Sequence, residues 1–177
     1  MSNLTQGLVQ IYTGNGKGKS TAAFGLALRA VGHGFKVYII QFMKGNDSYG
    51  ELDGVKRLSP ECRLENFGGP GWVHKGEYLE ENIQEAKKAF LRAQEVVLSG
   101  KWDLVILDEL VNAIWFELIP ENKVMELLNS KPSHVELIMT GRNASQTLIE
   151  RADLVTEMVQ RKHPYEKGIM ARKGIEY

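Results

Sequence analysis

The sequence predicts an α/β fold built around a mostly parallel sheet, and three observations carry that prediction. Short runs rich in Val, Ile and Leu alternate with longer stretches of helical periodicity. The first four of these runs lack a polar face, as strands covered on both sides do. A glycine-rich turn leads from the first run straight into a helical pattern, the connection a parallel sheet with right-handed crossovers requires. At 177 residues the chain can bury a core without disulfides or a structural metal, so one domain over 1–177 is expected.

The elements follow in order. "LVQIYT" (8–13) reads as the first strand. Residues 19–31, rich in alanine and leucine, form a helix stopped by Gly32-His33-Gly34. "KVYIIQFM" (36–43) is a second strand. The segments 44–54 ("KGNDSYGELDG") and 65–76 ("ENFGGPGWVHKG") are glycine-rich and polar and read as loops, each following strand-forming residues. Ligands of parallel sheets bind beyond the carboxyl ends of strands, so each loop is a solvated connection or part of a site. Leu79, Ile83, Ala86, Phe90, Ala93 and Val97 recur at spacings of four and three, giving an amphipathic helix over 77–98. "DLVILDE" (103–109) and "VELIMT" (135–140) are strands, with helices over 120–129, opened by Pro120, and over 144–152. "LVTEMVQ" (154–160) closes the series.

Composition narrows the function classes. The 22 basic and 22 acidic side chains cancel, so no global field attracts nucleic acid or an anionic membrane. The single cysteine, Cys62, cannot form an internal disulfide and suits a reducing compartment. No run approaches the roughly 20 apolar residues of a membrane span, and "MSNLTQG" lacks the charge and apolar core of a signal peptide. A cytoplasmic protein is expected.

The chemistry is concentrated in "TGNGKGKST" (13–21), between the first strand and the first helix. It resembles a phosphate-binding loop one residue short, with Thr13 where the usual first glycine would stand. Gly14, Gly16 and Gly18 let backbone amides turn inward around phosphate, with Asn15 and Lys17 between them. The helix beginning near Lys19 and Thr21 adds its positive end. Lys19 reaches phosphate oxygens and Ser20 offers a hydroxyl to Mg²⁺. "WDLVILDEL" ends in Asp108 and Glu109, as a metal-binding strand of such a site does. A strand end is also a natural place for a solvated acid, and the pattern gains meaning only beside the loop. Glu109 and Ser20 are expected to share Mg²⁺, with Asp108 adjoining it through water or orienting its shell, although adjacent strand residues point in different directions and leave open which acid ligates directly. "TGRN" sets Arg142 at the same edge of the sheet, where it neutralises phosphate or makes a surface salt bridge. Residue types and spacing thus specify a nucleoside triphosphate with Mg²⁺, and do not say which bond of it breaks.

The wording of the motifs goes further. "GNGKGKSTAAFGLALRAVGHG", "QFMKG" with "GE" shortly after, "LDEL", "TGRN" and the closing "KHPYEKGIMARKGIEY" together resemble the P-loop ATP:corrinoid adenosyltransferases, from about Gly7 to the last residue. The shortened loop is that family's own signature. The resemblance implies a RecA-like P-loop fold and transfer of the 5′-deoxyadenosyl group of ATP to Co(I) of a corrinoid, either cobalamin or a precursor such as cobyrinic acid a,c-diamide. It implies release of triphosphate, which the loop holds reversed, with the α-phosphate where other P-loop enzymes place the γ-phosphate. Lys19 and Arg142 become the catalytic residues, stabilising charge on the leaving group. The nucleophile is the corrinoid's cobalt, so the protein needs no catalytic Ser, Cys or His. It implies further a homodimer and a reducing flavoprotein as electron donor.

Relatives often carry Gly-Phe-Thr-Trp in the loop over the corrinoid, whereas this chain reads "GGPGWVHK", leaving Trp72 as the main candidate contact and Phe67 as a second. Longer relatives also have an N-terminal extension over the site, expected to be missing here. A P-loop small-molecule kinase moving the γ-phosphoryl group is the alternative, and ADP in place of triphosphate would reveal it. A carrier that binds ATP and corrinoid without turnover is a third reading.

Overall fold

The computed structural model describes residues 4–45, 49–69, 76 and 79–176. Six strands form one sheet: β1 (Val9–Thr13), β2 (Val37–Gln41), β3 (Cys62–Asn66), β4 (Leu104–Asp108), β5 (Glu136–Thr140) and β6 (Leu154–Glu157). Their order is β3-β2-β4-β5-β1-β6 and every pairing is parallel. The chain leaves β1, crosses beneath α1 (Lys19–Gly32) and re-enters the sheet three places away at β2. From β3 at one edge the chain turns back through β4 and β5 to β6 at the other, and ligands of such sheets bind beyond the strands' carboxyl ends.

The strand alternation divides the core in two. Val9, Ile11, Tyr38, Ile40, Val105, Leu107, Leu137 and Met139 face α3 (Glu80–Leu98), α4 (Leu110–Trp115) and α5 (Glu121–Ser130). Val37, Ile39, Leu104, Ile106 and Ile138 face α1, which meets them with Ala23, Ala27 and Ala30. Small residues on that stripe let α1 lie close to the sheet, so the turn entering it stays short. The opposite layer is filled by bulk such as Phe90, each side chain of that size contributing about 1.5–3 kcal/mol on burial.

The four apolar runs expected as central strands are β1, β2, β4 and β5, and all but the first residue of β5 and Gln10 of β1 are buried. The fifth run forms only β6, exposed along its length at the edge of the sheet. Three elements lie where the sequence suggested loop or gave no signal. Residues 62–66 form β3, an edge strand in which Arg63 and Glu65 alternate with Cys62 and Leu64 of the α1-side core. Residues 50–56, inside a stretch read as loop, form α2 (Gly50–Lys56). "LVNAIW" forms α4, too short for its periodicity to register. The expected helix over 77–98 is α3 from Glu80, and those over 120–129 and 144–152 are α5 and α6 (Gln146–Arg151), the latter capped by the Ser145 hydroxyl on the Leu148 amide. Among the described residues no helix is long and apolar enough to cross a membrane.

Candidate active site

The carboxyl ends of β1, β4, β5 and β2 bring the predicted residues to one edge. β1 ends at Thr13 and the chain turns through Gly14, with φ 95°, and Gly18, with φ 118°. A side chain at Gly14 would be strained and would place its Cβ 2.6 Å from the Met158 carbonyl oxygen. Gly18 is the residue preceding α1 and supplies no side-chain cap, so the first amides of the helix are not taken by the protein's own side chain.

Lys19 is 8% exposed, and its Nζ donates to the Gly14 and Gly16 carbonyls at 2.9 and 2.7 Å. An ammonium has three protons, so this arrangement spends two on the loop and leaves one for a bound oxyanion. Burial lowers the Lys19 pKa and Arg142 lowers it further, while Glu109 and Asp108 pull it back. The loop is thus wound around its own cation.

Three donors converge on Asp108, which is fully buried. Thr140 Oγ1 donates to Oδ1 at 2.7 Å, and Gln41 Nε2 and Lys44 Nζ donate to Oδ2 at 3.1 and 3.0 Å. The Ser20 hydroxyl lies near enough to act on its pKa. Burial alone would raise the Asp108 pKa, but the Lys44 ammonium and the hydroxyls of Thr140 and Ser20 hold it below the ordinary carboxylate value. Burial works against Lys44 as well, and Asp108 together with Glu51, 3.3 Å away, raises its pKa above the usual lysine value. Among the described residues the buried Gln41 Oε1 has no hydrogen-bond partner.

Glu109 stands differently. Its backbone is left-handed, φ 65°, which swings the side chain away from the strand's alternation. Its amide donates to Thr140 Oγ1 at 2.9 Å, and its carboxylate accepts from the Asn112 side chain. Burial, and then the charge of Asp108, raise its pKa. Asn112 also takes the Arg142 amide on Oδ1 at 2.6 Å, fixing the "TGRN" turn to α4. The Arg142 side chain is exposed, near enough to Lys19 and Glu109 to perturb both.

Other predicted residues spread out. Asn15 is exposed and lines a cavity of about 330 Å³ with Glu157, Val159 and Gln160. Lys17 turns from the loop to the far end of the chain, donating to Glu176 at 2.8 Å and to the Ile175 carbonyl at 3.0 Å. Thr21 is exposed on the first turn of α1. Phe67 is partly buried against the larger core cluster, its amide continuing the ladder to Gln41 O at 2.9 Å. Trp72 lies outside the described residues. Gln41, Lys44, Glu51, Asn112 and Thr140 were missed as site residues, although "QFMKG", "GE" and "TGRN" had drawn attention to three of their stretches.

Hard oxygen donors suit Mg²⁺: the Ser20 hydroxyl and the carboxylates of Asp108 and Glu109. Among the described residues no group of three or more His, Cys, Asp or Glu could hold a metal.

Fold and site together define a P-loop nucleoside-triphosphate-binding protein. The comparison of sequences is more specific: the chain belongs to the ATP:corrinoid adenosyltransferase family BtuR/CobO/CobP, whose model matches residues 5–177. It is 37% identical over 174 residues to a corrinoid adenosyltransferase of Sinorhizobium, covering 97% of this chain and 81% of the relative. Identity to the corrinoid adenosyltransferase of Escherichia coli is 34% over 172 residues, 97% of this chain and 86% of that one. To the corrinoid adenosyltransferase CobA of Salmonella typhimurium it is 33%, with the same coverage of 97% and 86%. Among solved structures a KaiC-like protein from Pyrococcus horikoshii superposes with a TM-score of 0.54 at 19% identity, covering 89% of this chain and 75% of its own. That likeness bears on the fold alone.

Proposed function

We propose that this chain transfers the 5′-deoxyadenosyl group of ATP to the reduced cobalt of a corrinoid, cobalamin or a precursor, and releases triphosphate. The cobalt electron pair forms the new bond to C5′, and the pair of the C5′–O bond leaves with the triphosphate. The protein's task is to hold that leaving group and stabilise its charge, and the loop supplies the means. The observation that carries the reading is Lys19, buried beneath the Gly14 and Gly16 carbonyls in a loop of the family's shortened spacing, with one donor left for phosphate. Loop amides and Arg142 add further positive potential at the same edge. Mg²⁺, held by Ser20 and Glu109 with Asp108 behind, would supply charge neutralisation on the triphosphate.

The corrinoid lies over the carboxyl edge, with Trp72 and Phe67 toward its lower face, excluding water and the nucleotide-tail base from cobalt. The enzyme acts in the cytoplasm as a homodimer, served by a reducing flavoprotein. The γ-phosphoryl-transferring kinase is not favoured by the family. The test is anaerobic incubation with ATP, Mg²⁺ and chemically reduced cobalamin, following cobalt–carbon bond formation by absorbance and the phosphate product by ³¹P NMR. Triphosphate in step with the new bond is expected. ADP, or no product with both ligands bound, would overturn the proposal.

A further inference from the structure

We propose that Lys44 and Gln41 are positioning residues, which hold Asp108 as a fixed anion one shell outside the metal and so leave Glu109 as the acid that takes Mg²⁺ directly. This rests on the nucleotide and metal reading given above. The geometry argues it from the lone pairs. A carboxylate offers about four acceptor sites. Three of those of Asp108 are taken, by Thr140 Oγ1 at 2.7 Å, Gln41 Nε2 at 3.1 Å and Lys44 Nζ at 3.0 Å. A cation binding Asp108 directly would have to enter a place with no solvent exposure and displace or crowd these donors. Glu109 keeps room: among the described residues its Oε2 accepts from Asn112, and its Oε1 meets no protein donor.

Sequence and register explain why these two residues serve. Gln41 and Asp108 are directly paired across β2 and β4, so their side chains leave the sheet on the same side. Lys44, three residues further along, folds back over the strand end between Asp108 and Glu51. The orphan acceptor on Gln41 points the same way. Turning that amide over would set its oxygen against Asp108, so the orientation is fixed by the carboxylate and the unpaired Oε1 is what it leaves behind. The consequence for the reaction lies at Ser20. The hydroxyl lies near enough to act on the Asp108 pKa, and because a carboxylate only accepts, a Ser20 proton turned toward it would leave the hydroxyl's lone pairs to the cation.

The test is Mn²⁺ binding to the protein–ATP complex, read from the free-ion EPR signal without corrinoid, for wild type, Lys44→Met, Lys44→Arg and the double variant Lys44→Met/Asp108→Asn. Lys44→Met should weaken Mn²⁺ by roughly 10–100-fold, as loss of an outer-shell partner does, with metal-free ATP binding little changed. Lys44→Arg, which keeps the cation, should recover most of that loss. The double variant removes both charges and should regain thermal stability, yet stay weak for Mn²⁺, because the anion that orients Ser20 is gone. A folded Lys44→Met with wild-type Mn²⁺ affinity, or a double variant that regains it, overturns the proposal in favour of a purely structural ion pair. If wild-type protein binds ATP but takes up no Mn²⁺ with it, the metal assignment itself fails and this inference falls with it.

Discussion

The phosphate loop sits between two walls of opposite character. On its inner side, β2, β4 and β5 present Gln41, Asp108 and Thr140, all without solvent exposure, and Asp108 ties them together with Lys44. On its outer side, the chain beyond β6 lies along the loop: Gly16 N donates to the Met158 carbonyl at 2.6 Å, and Lys17 reaches Glu176. Here the charged groups are at the surface, Lys17 being 44% exposed and Arg172, which also grips Glu176, 56% exposed. The loop has the same neighbours in kind, acids and bases, on both sides. What differs is water. Burial makes each inner charge depend on its partner, whereas solvent screens the outer pairs.

The largest effect is expected at the cation shared by both walls. Lys19→Ala should lower kcat on the order of 10²–10³-fold, about 2.7–4 kcal/mol of leaving-group stabilisation, while the thermal midpoint stays near wild type. Activity and unfolding measured on the same preparation check it, and a variant that only unfolds would give Lys19 a structural role.

Next comes the inner wall. Asp108→Asn strands the Lys44 ammonium and should cost about 3–5 kcal/mol of stability in denaturant unfolding, toward the lower figure because Glu51 remains beside Lys44. The sign with pH is fixed by the direction of the shift. The folded Asp108 pKa is depressed from 3.8, so its contribution is present above that value and disappears as pH falls through the folded one. Wild type should therefore lose its advantage over Asp108→Asn only in acid.

Gly16→Ala tests where the walls meet. A Cβ there would stand 2.7 Å from the Met158 carbonyl oxygen, a backbone atom that cannot step aside alone. ATP titration should show binding weakened by roughly 1–3 kcal/mol, the usual cost of forcing a methyl into packed structure. Unchanged affinity would mean that the outer segment moves freely with respect to the loop.

The outer wall should respond least. Glu176→Gln is expected to shift the thermal midpoint slightly at low salt and not at all at 1 M, where the Debye length is about 3 Å. Arg172 and Lys17 draw the Glu176 pKa down from 4.5 to about 2, so the tether is fully present above the ordinary glutamate value and is lost as pH falls toward 2. A salt-independent effect as large as that of Asp108→Asn would erase the distinction between the walls.

Local pattern by itself determined the central strands β1, β2, β4 and β5, since a strand buried on both faces needs an unbroken apolar run. It determined the loop too, because glycines and lysine must stand at fixed spacing for backbone amides and one cation to meet phosphate. It left β3, α2 and α4 unread: an edge strand tolerates charge, and six or seven residues show too little periodicity to mark a helix. Asp108 and Glu109, adjacent and alike in sequence, were separated only by the tertiary structure, through a left-handed backbone at one and three converging donors at the other. Those donors come from β2, β5 and the turn after β2, positions 41, 140 and 44. Residues so far apart in the chain become one site because parallel pairing sets every strand's carboxyl end at the same edge, and no window of sequence records that convergence.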